Sequence, residues 1–133
     1  MINEVLTWFV AAAKAEPTLA GIGGRIFPDG AKEGTANPCL VFQLIGGDAE
    51  EVVDSGPLDH GTVAIQIRIY DGSRISANAL RESFRQAFQG LEPVEIGSRW
   101  RVEGTSWGEL ADTYDPEMKE YGALGVLEIH VDR

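Results

Sequence analysis

Cysteine and histidine are scarce in this sequence, and their scarcity excludes several kinds of site. The 133 residues contain one cysteine, Cys39, so neither an intrachain disulfide nor a multi-cysteine metal site can form. The two histidines, His60 and His130, have no cysteine or histidine within four residues. The usual spacing of metal ligands is therefore missing. The acidic residues cluster in polar segments rather than standing alone among apolar residues, so we predict no catalytic residue, metal or cofactor, and no enzyme.

Long apolar runs and an excess of positive charge are also lacking. No run approaches the roughly 18 apolar residues that a membrane-spanning helix requires, so we expect no membrane association. Residues 1–14 do not read as a signal peptide because Glu4 lies where a basic region belongs, and we expect synthesis in the cytoplasm. A formal net charge of −10 argues against specific nucleic-acid binding.

The charge is distributed unevenly along the chain. Residues 46–60 contain five acidic residues and no lysine or arginine: Asp48, Glu50, Glu51, Asp54 and Asp59. Residues 109–120 contain five more against Lys119 alone, whereas six of the eleven basic residues fall between Arg68 and Arg101. Two interpretations stay open: solvated acidic loops, or acidic loops of one copy meeting the arginine-bearing middle of another copy in a ring.

One stretch, residues 61–90, organises the rest of the chain. Residues 62–70 alternate β-branched and polar side chains at period two, which predicts a strand buried on one side. Asp71 and Gly72 break the strand, and Ser73 can cap a helix. Apolar residues recur in that helix at three- and four-residue steps, which places one apolar stripe on the strand.

The remaining elements complete a predicted single domain over residues 1–133. A helical stripe covers residues 2–13, and strands are predicted at 39–45, 94–96, 99–107 and 121–131. We expect an α+β fold in the order α-β-β-α-β-β, a four-stranded antiparallel sheet with two helices packed on one face. Residues 46–61 form either an extended hairpin arm or a functional loop. Trp100 and Trp107 lie an odd number apart, which predicts that they face opposite sides of one strand.

Three short segments together resemble a known family. They are Gly24-Arg25-Ile26-Phe27-Pro28, then Asn37-Pro38-Cys39-Leu40-Val41-Phe42-Gln43, then the Gln66-Ile67-Arg68-Ile69-Tyr70 strand with its alanine- and leucine-rich helix. In this order they are similar to the tail-completion proteins of tailed bacteriophages and prophages, also called tail terminators or head–tail joining proteins. The resemblance covers residues 1–91 well and the rest by strand pattern only. The acidic segment from Asp48 to Asp59 and the tryptophan-bearing strand depart from the family's pattern.

The resemblance implies a structural role in virion assembly. Such subunits form a ring, typically a hexamer, which caps the finished tail tube and offers a surface to the head connector. The expected partners are therefore further copies of the chain, the tail-tube protein and head-connector proteins, and the expected location is the tail–head junction of the virion. The acidic segment can line the channel, where it would repel DNA phosphates, or face a partner.

Other functions remain open at this point. The chain could be another phage neck or minor tail protein, such as a connector adaptor, or a small bacterial ligand-binding or enzymatic α+β domain. Candidate residues for subunit or partner contacts combine arginines with two tryptophans: Trp8, Arg68, Arg81, Arg85, Arg99, Arg101 and Trp107.

Overall fold

Strands dominate the part of the chain that the computed structural model describes. This part comprises residues 2–30, 35–47, 51–52, 56–57, 60–97, 99–116 and 119–132, with only the backbone described for 47, 51–52, 56–57 and 60. Its helices are α1 (Ile2–Ala15), a 3-10 helix (Pro17–Ile22) and α2 (Arg74–Phe88). Its strands are β1 (Ile26–Pro28), β2 (Cys39–Gly47), β3 (Glu51–Val52), β4 (Gly56–Pro57), β5 (His60–Asp71), β6 (Val94–Ile96), β7 (Trp100–Glu109), β8 (Thr113–Asp115) and β9 (Glu120–Asp132).

The strand and helix predicted at the centre of the chain are confirmed as β5 and α2. Four apolar side chains of β5, spaced two residues apart, are completely buried: Val63, Ile65, Ile67 and Ile69. Ser73 caps α2, since its Oγ accepts a hydrogen bond from the backbone N–H of Ser76 at 3.1 Å. The α2 residues Ala77, Phe84 and Phe88 are buried, so the apolar stripe lies where the spacing places it.

The two α-helices pack on the same side of the sheet through aromatic rings. The ring centroid of Phe9 in α1 lies 5.5 Å from that of Phe42 in β2 and 6.0 Å from that of Phe84 in α2. Phe84 in turn stacks on Phe88 at 4.6 Å. These rings belong to one core with the buried side of β5. The opposite side of the sheet is left without a helix among the described elements.

The predicted four-stranded antiparallel sheet is wrong. The main sheet is seven-stranded, mixed and curled, in the order β1-β2-β5-β9-β7-β6, with β8 beside β9. The strand predicted at residues 94–96 is confirmed as β6. β1 and β8 are not among the predicted strands, because their three residues are too few for alternation to reveal them. β1 makes the sheet mixed, because it pairs in parallel with β2 after a polar connection. The side chain of Arg25 supports this pairing by donating from Nε to the Pro38 carbonyl at 2.8 Å.

The chain forms one hairpin before β5 and another at the start of β9, and the first is a separate two-stranded sheet. β3 pairs with β4, so between β2 and β5 the backbone follows the extended hairpin rather than an open loop. The chain then enters β5 at His60, which pairs with Asp132. β8 and β9 form the second hairpin at the other end of β5, where Tyr114 shares a row with Tyr121 and Asp71.

One buried hydroxyl ties the end of α2 to β7. Thr105 Oγ1 donates to the carbonyl of Phe88 and accepts from the backbone N–H of Leu91 at 3.2 Å. The Thr105 carbonyl also accepts from the N–H of Gly90 at 3.3 Å. Gly90 has φ of 67°, a left-handed conformation that suits glycine. The chain leaving α2 is thus held against the outer edge of β7.

The predicted opposition of Trp100 and Trp107 is wrong because β7 contains a bulge. Between Val102 and Gly104 the register with β9 shifts by one residue. An extra residue reverses the alternation of side chains beyond it, so both tryptophans face the helices. Both pack against the core, and the Trp107 ring lies 5.2 Å from that of Phe84. The structure therefore shows both tryptophans packing within one subunit.

The Trp107 ring occupies space that a glycine leaves open. A Cβ atom on Gly125 in β9 would lie 2.1 Å from two carbons of the Trp107 ring. The ring cannot simply retreat, since Phe84 packs against it.

We therefore predict that Gly125→Ala destabilises the protein by about 1–3 kcal/mol, the usual cost of overpacking a core. Denaturant unfolding measures this loss. The same substitution should cost much less in a Trp107→Leu background, because the clash has been removed. Gly108→Ala is the matched control, since nothing lies within 4 Å of its added Cβ. A loss at Gly125 that persists without the tryptophan would contradict the explanation.

Candidate assembly surfaces

Cysteine and histidine are the side chains here best suited to catalysis or metal binding, and the described ones are placed unfavourably for either. Cys39 is buried, and burial, followed by the charge of Glu120, raises the pKa of its thiol to about 11. The thiol is therefore protonated at neutral pH and a poor nucleophile. His130 is exposed, with Nδ1 3.2 Å from the hydroxyl of Thr62. Within the described ranges, no three His, Cys, Asp or Glu side chains come together as a metal site.

Membrane insertion finds no support in the helices. None of those described is both long enough and apolar enough to cross a bilayer.

One face of the sheet carries no helix among the described elements, and we call it the uncovered face. Side chains of β2, β5 and β9 meet there in rows, one of which runs Gln43, Gln66 and Val126. Arg68 lies in the next row, half-buried, and donates from Nη2 to Gln66 Oε1 at 3.2 Å. Arginine is enriched where proteins contact one another, so this face is a candidate contact surface.

The predicted arginine set does not form a single basic surface. Arg68 and Arg101 point to the uncovered face, whereas Arg81 and Arg85 lie on α2 at the other side of the sheet. Arg101 pairs with Glu103 at 2.6 Å, and Arg85 pairs with Glu82. That pairing lowers the pKa of the Glu82 carboxyl and raises that of Arg85.

Arg99 is exposed in the turn that precedes β7, and no ion pair or hydrogen bond is seen for its side chain among the described contacts. Of the predicted arginines it is therefore the one most available to a partner. The predicted tryptophan Trp8 is half-buried, with its ring edge-on to Phe88 at 6.4 Å. It also lines a shallow groove of about 460 Å³ between α1 and the turn at Gly97. Trp8 thus serves the core with one side and leaves part of its ring accessible.

Arg81 has a structural role that the sequence does not reveal. Its Nη1 lies 2.8 Å from Asp112 Oδ1 and 3.1 Å from the carbonyls of Leu110 and Leu124. The side chain is only 12% exposed. Leu110 also donates its N–H to the Leu124 carbonyl at 3.1 Å, so these contacts hold the segment that joins β7 to β8. Arg81 therefore fastens α2 to the sheet.

The structure describes little of the predicted acidic segment. Asp48, Glu50, Asp54 and Asp59 lie outside the described residues, and only the backbone of Glu51 is described. Within the segment, the backbone of β3 pairs with that of β4.

Some exposed apolar residues were not singled out from the sequence. Leu44 and Ile45 are 39% and 52% exposed at the edge of β2, and Ile75 is 84% exposed at the start of α2. Near Ile75, the guanidinium of Arg74 lies 5.4 Å from the centroid of the Tyr121 ring. The sequence shows these residues as members of apolar runs, and only the edge position and the missing cover reveal their exposure.

These features define a class of protein. The described residues offer an uncovered sheet face, exposed apolar side chains at a strand edge and shallow grooves, with no assembled catalytic group. That combination is typical of a structural subunit that binds other proteins.

Comparison with known families identifies the family to which the chain belongs. The sequence model of the tail completion protein gp17 family matches residues 9–130, and the chain belongs to this family. The predicted resemblance is thereby confirmed, and the chain is a structural protein of a phage tail and virion. No curated protein sequence matches the chain.

Two solved structures share the fold. A chain from the virion of a native gene transfer agent particle aligns with a TM-score of 0.61 and 18% identity, over 93% of this chain and 92% of that one. A second solved structure aligns with a TM-score of 0.60 and 17% identity, over 99% of this chain and 94% of that one. At these identities the likeness concerns the fold.

We predict that Arg81→Met lowers the free energy of unfolding by about 1.5–3 kcal/mol, because two carbonyls and a carboxylate lose a charged donor. Denaturant unfolding measures the loss. Arg85→Met is the matched control on the same helix, since its partners lie at the surface and its loss should be far smaller. Equal losses at the two positions would show that Arg81 is not a structural fastener.

Proposed function

We propose that this protein is the subunit of a ring that closes the end of the phage tail tube and joins it to the head connector. Residues 1–133 act as one domain, and the ring is a hexamer. The observation that carries the proposal is the family match, because it spans residues 9–130 and leaves no room for a second large domain within the chain. The gene transfer agent particle supports it, since a protein of the same fold is part of that virion.

The arrangement of surfaces agrees with such a subunit. A ring subunit needs two lateral surfaces for its neighbours and two ends for different partners. The long strands β5 and β9 provide an axis, with the β8–β9 hairpin at one end and the connection from β2 through β3 and β4 to β5 at the other. In this proposal one end meets the tail-tube protein and the other end meets the head connector. Contact residues are drawn from Trp8, Arg68, Arg99 and Arg101, which are at least partly accessible.

The mass of the purified protein by light scattering, measured across a concentration series, tests the ring. We expect a discrete species of about six subunits, either alone or once tail-tube protein is added, since a partner can drive assembly by mass action. Capture of the tail-tube protein by the immobilised chain is the second readout. A chain that stays monomeric with the tube protein and fails to capture it would overturn the proposal. Capture of a connector protein alone would indicate a connector adaptor instead.

The acidic segment has two roles compatible with its charge, and one variant separates them. Neutralising Asp48, Glu50, Glu51 and Asp54 to Asn or Gln removes four negative charges without changing side-chain size. If the segment lines the channel, assembly persists and DNA passage slows, because the wall no longer repels phosphates. If it faces a neighbouring subunit, the ring itself weakens and loses its salt dependence. An unchanged ring and unchanged DNA ejection would exclude both roles.

A further inference from the structure

At each of the two edges of the sheet, part of a strand is left unpaired within the described chain. β1 pairs with β2 only over Leu40–Phe42, so β2 has a free edge from residue 43 onward. β6 pairs with β7 only from Trp100 to Val102, and the backbone bond from Gly90 covers Thr105. β7 therefore has a free edge over residues 106–109. We call these two stretches, 43–46 and 106–109, the β2 edge and the β7 edge.

The two edges lie at the same height across the sheet. Gln43 pairs with Gln66, Gln66 with Val126, and Val126 with Gly108. The next row contains Leu44 and Trp107 as its end members, and the one after contains Gly46 and Ser106. β1 pairs with residues 40–42 of β2, and β6 pairs with residues 100–102 of β7. Neither short strand therefore covers the rows that the two edges share.

The edges also run in opposite directions. Three antiparallel steps separate β2 from β7, from β2 to β5, from β5 to β9 and from β9 to β7. A rotation about an axis along the strands preserves both height and direction. It therefore places the β2 edge of one copy beside the β7 edge of the next at matching height, in the antiparallel sense that pairs most readily.

The composition of both edges favours pairing. Soluble proteins protect free edges with charged residues, proline or bulges. The β2 edge contains no charged residue and no proline, although a bulge interrupts it near Ile45. The β7 edge carries one charged residue, Glu109, whose row ends at Phe42, outside the β2 edge. Leu44 and Ile45 are exposed on the β2 edge. Leu44 shares its row and its side of the sheet with Trp107, so pairing would bring it to the neighbour's indole.

Charges beside the two edges are complementary. β2 leads into the stretch 48–59, which contains five acidic residues and no basic one. At the start of β7, Arg99 and Arg101 flank Trp100, and both arginine side chains are exposed. Because Arg101 pairs with Asp132 and Asp132 with His60, Arg101 lies at the end of the sheet at which β2 ends, on the opposite flank.

We propose that neighbouring copies of this chain join by antiparallel pairing of the β2 edge of one with the β7 edge of the next, so that the sheets continue around the ring. This inference rests on the proposed ring and specifies its lateral contact. The contact is head-to-tail, since each copy uses two different edges, and Leu44 packs in the row of the neighbour's Trp107.

Disulfide trapping tests the contact. In a Cys39→Ala background, Gln43→Cys and Gly108→Cys place thiols on the same face in the same row, within the separation that a disulfide spans across paired strands. The chain carrying both substitutions should give a covalent ladder that ends at the ring under mild oxidation. Each single variant should give no product, and a mixture of the two should give dimers only. Ser106→Cys replaces Gly108→Cys if the latter does not fold.

Gln43→Cys combined with Gln86→Cys is the matched control, since Gln86 is exposed on α2 away from either edge, and it should give no ladder. Dimers from Gln43→Cys alone would show a symmetric contact and overturn the pairing. A wild-type ring seen by light scattering without a ladder from the paired variant would overturn the pairing and leave the proposed function standing. Absence of the wild-type ring even with tail-tube protein would overturn both.

Discussion

The apolar side of β5 and the phenylalanine rings that cover it are the contact on which the rest of the molecule depends. Four fully buried aliphatic side chains of β5 meet Phe9 from α1 and Phe84 and Phe88 from α2. Burying this much apolar surface is the main favourable contribution to folding, and it also fixes the side of the sheet to which both helices are confined. The uncovered face is the direct result. A chain of this length has only two α-helices in its described part, and the core uses both.

The sequence predicts the centre of the fold well and its margins poorly, for a physical reason. β5 and α2 each repeat their pattern several times, so the apolar stripe is unambiguous. β1 and β8 have three residues each and show one alternation at most, whereas the equally short β6 is predicted at its observed residues. The parallel pairing of β1 with β2 is a contact between distant segments, which local periodicity does not report. The bulge near Glu103 has the same effect on a smaller scale, because one extra residue reverses the orientation of Trp107.

Prediction of the contact surfaces fails where a residue type serves two purposes. An arginine on a helix can bind a partner or fasten its own chain, and Arg81 does the second with two backbone carbonyls that no sequence pattern marks. Arg99, in contrast, has an exposed side chain with no ion pair or hydrogen bond among the described contacts. Leu44 and Ile45 show the reverse case. Their sequence pattern is that of core residues, but they are exposed because the pairing of β1 with β2 ends before them. Edge position is a property of the whole sheet.

The hydrogen bond from Gly90 to Thr105 has a further consequence for the life of the free subunit. It shortens the exposed part of β7 to four residues, and a pair of copies joined over so short a stretch separates easily. In the proposed ring, such a weak contact would keep newly made chains from open-ended polymerisation. Closing the ring would change the balance, since the last subunit gains two contacts for one loss of freedom, and a closed ring breaks only if two contacts open together. Weak edges would thus suit both the free subunit and the closed ring.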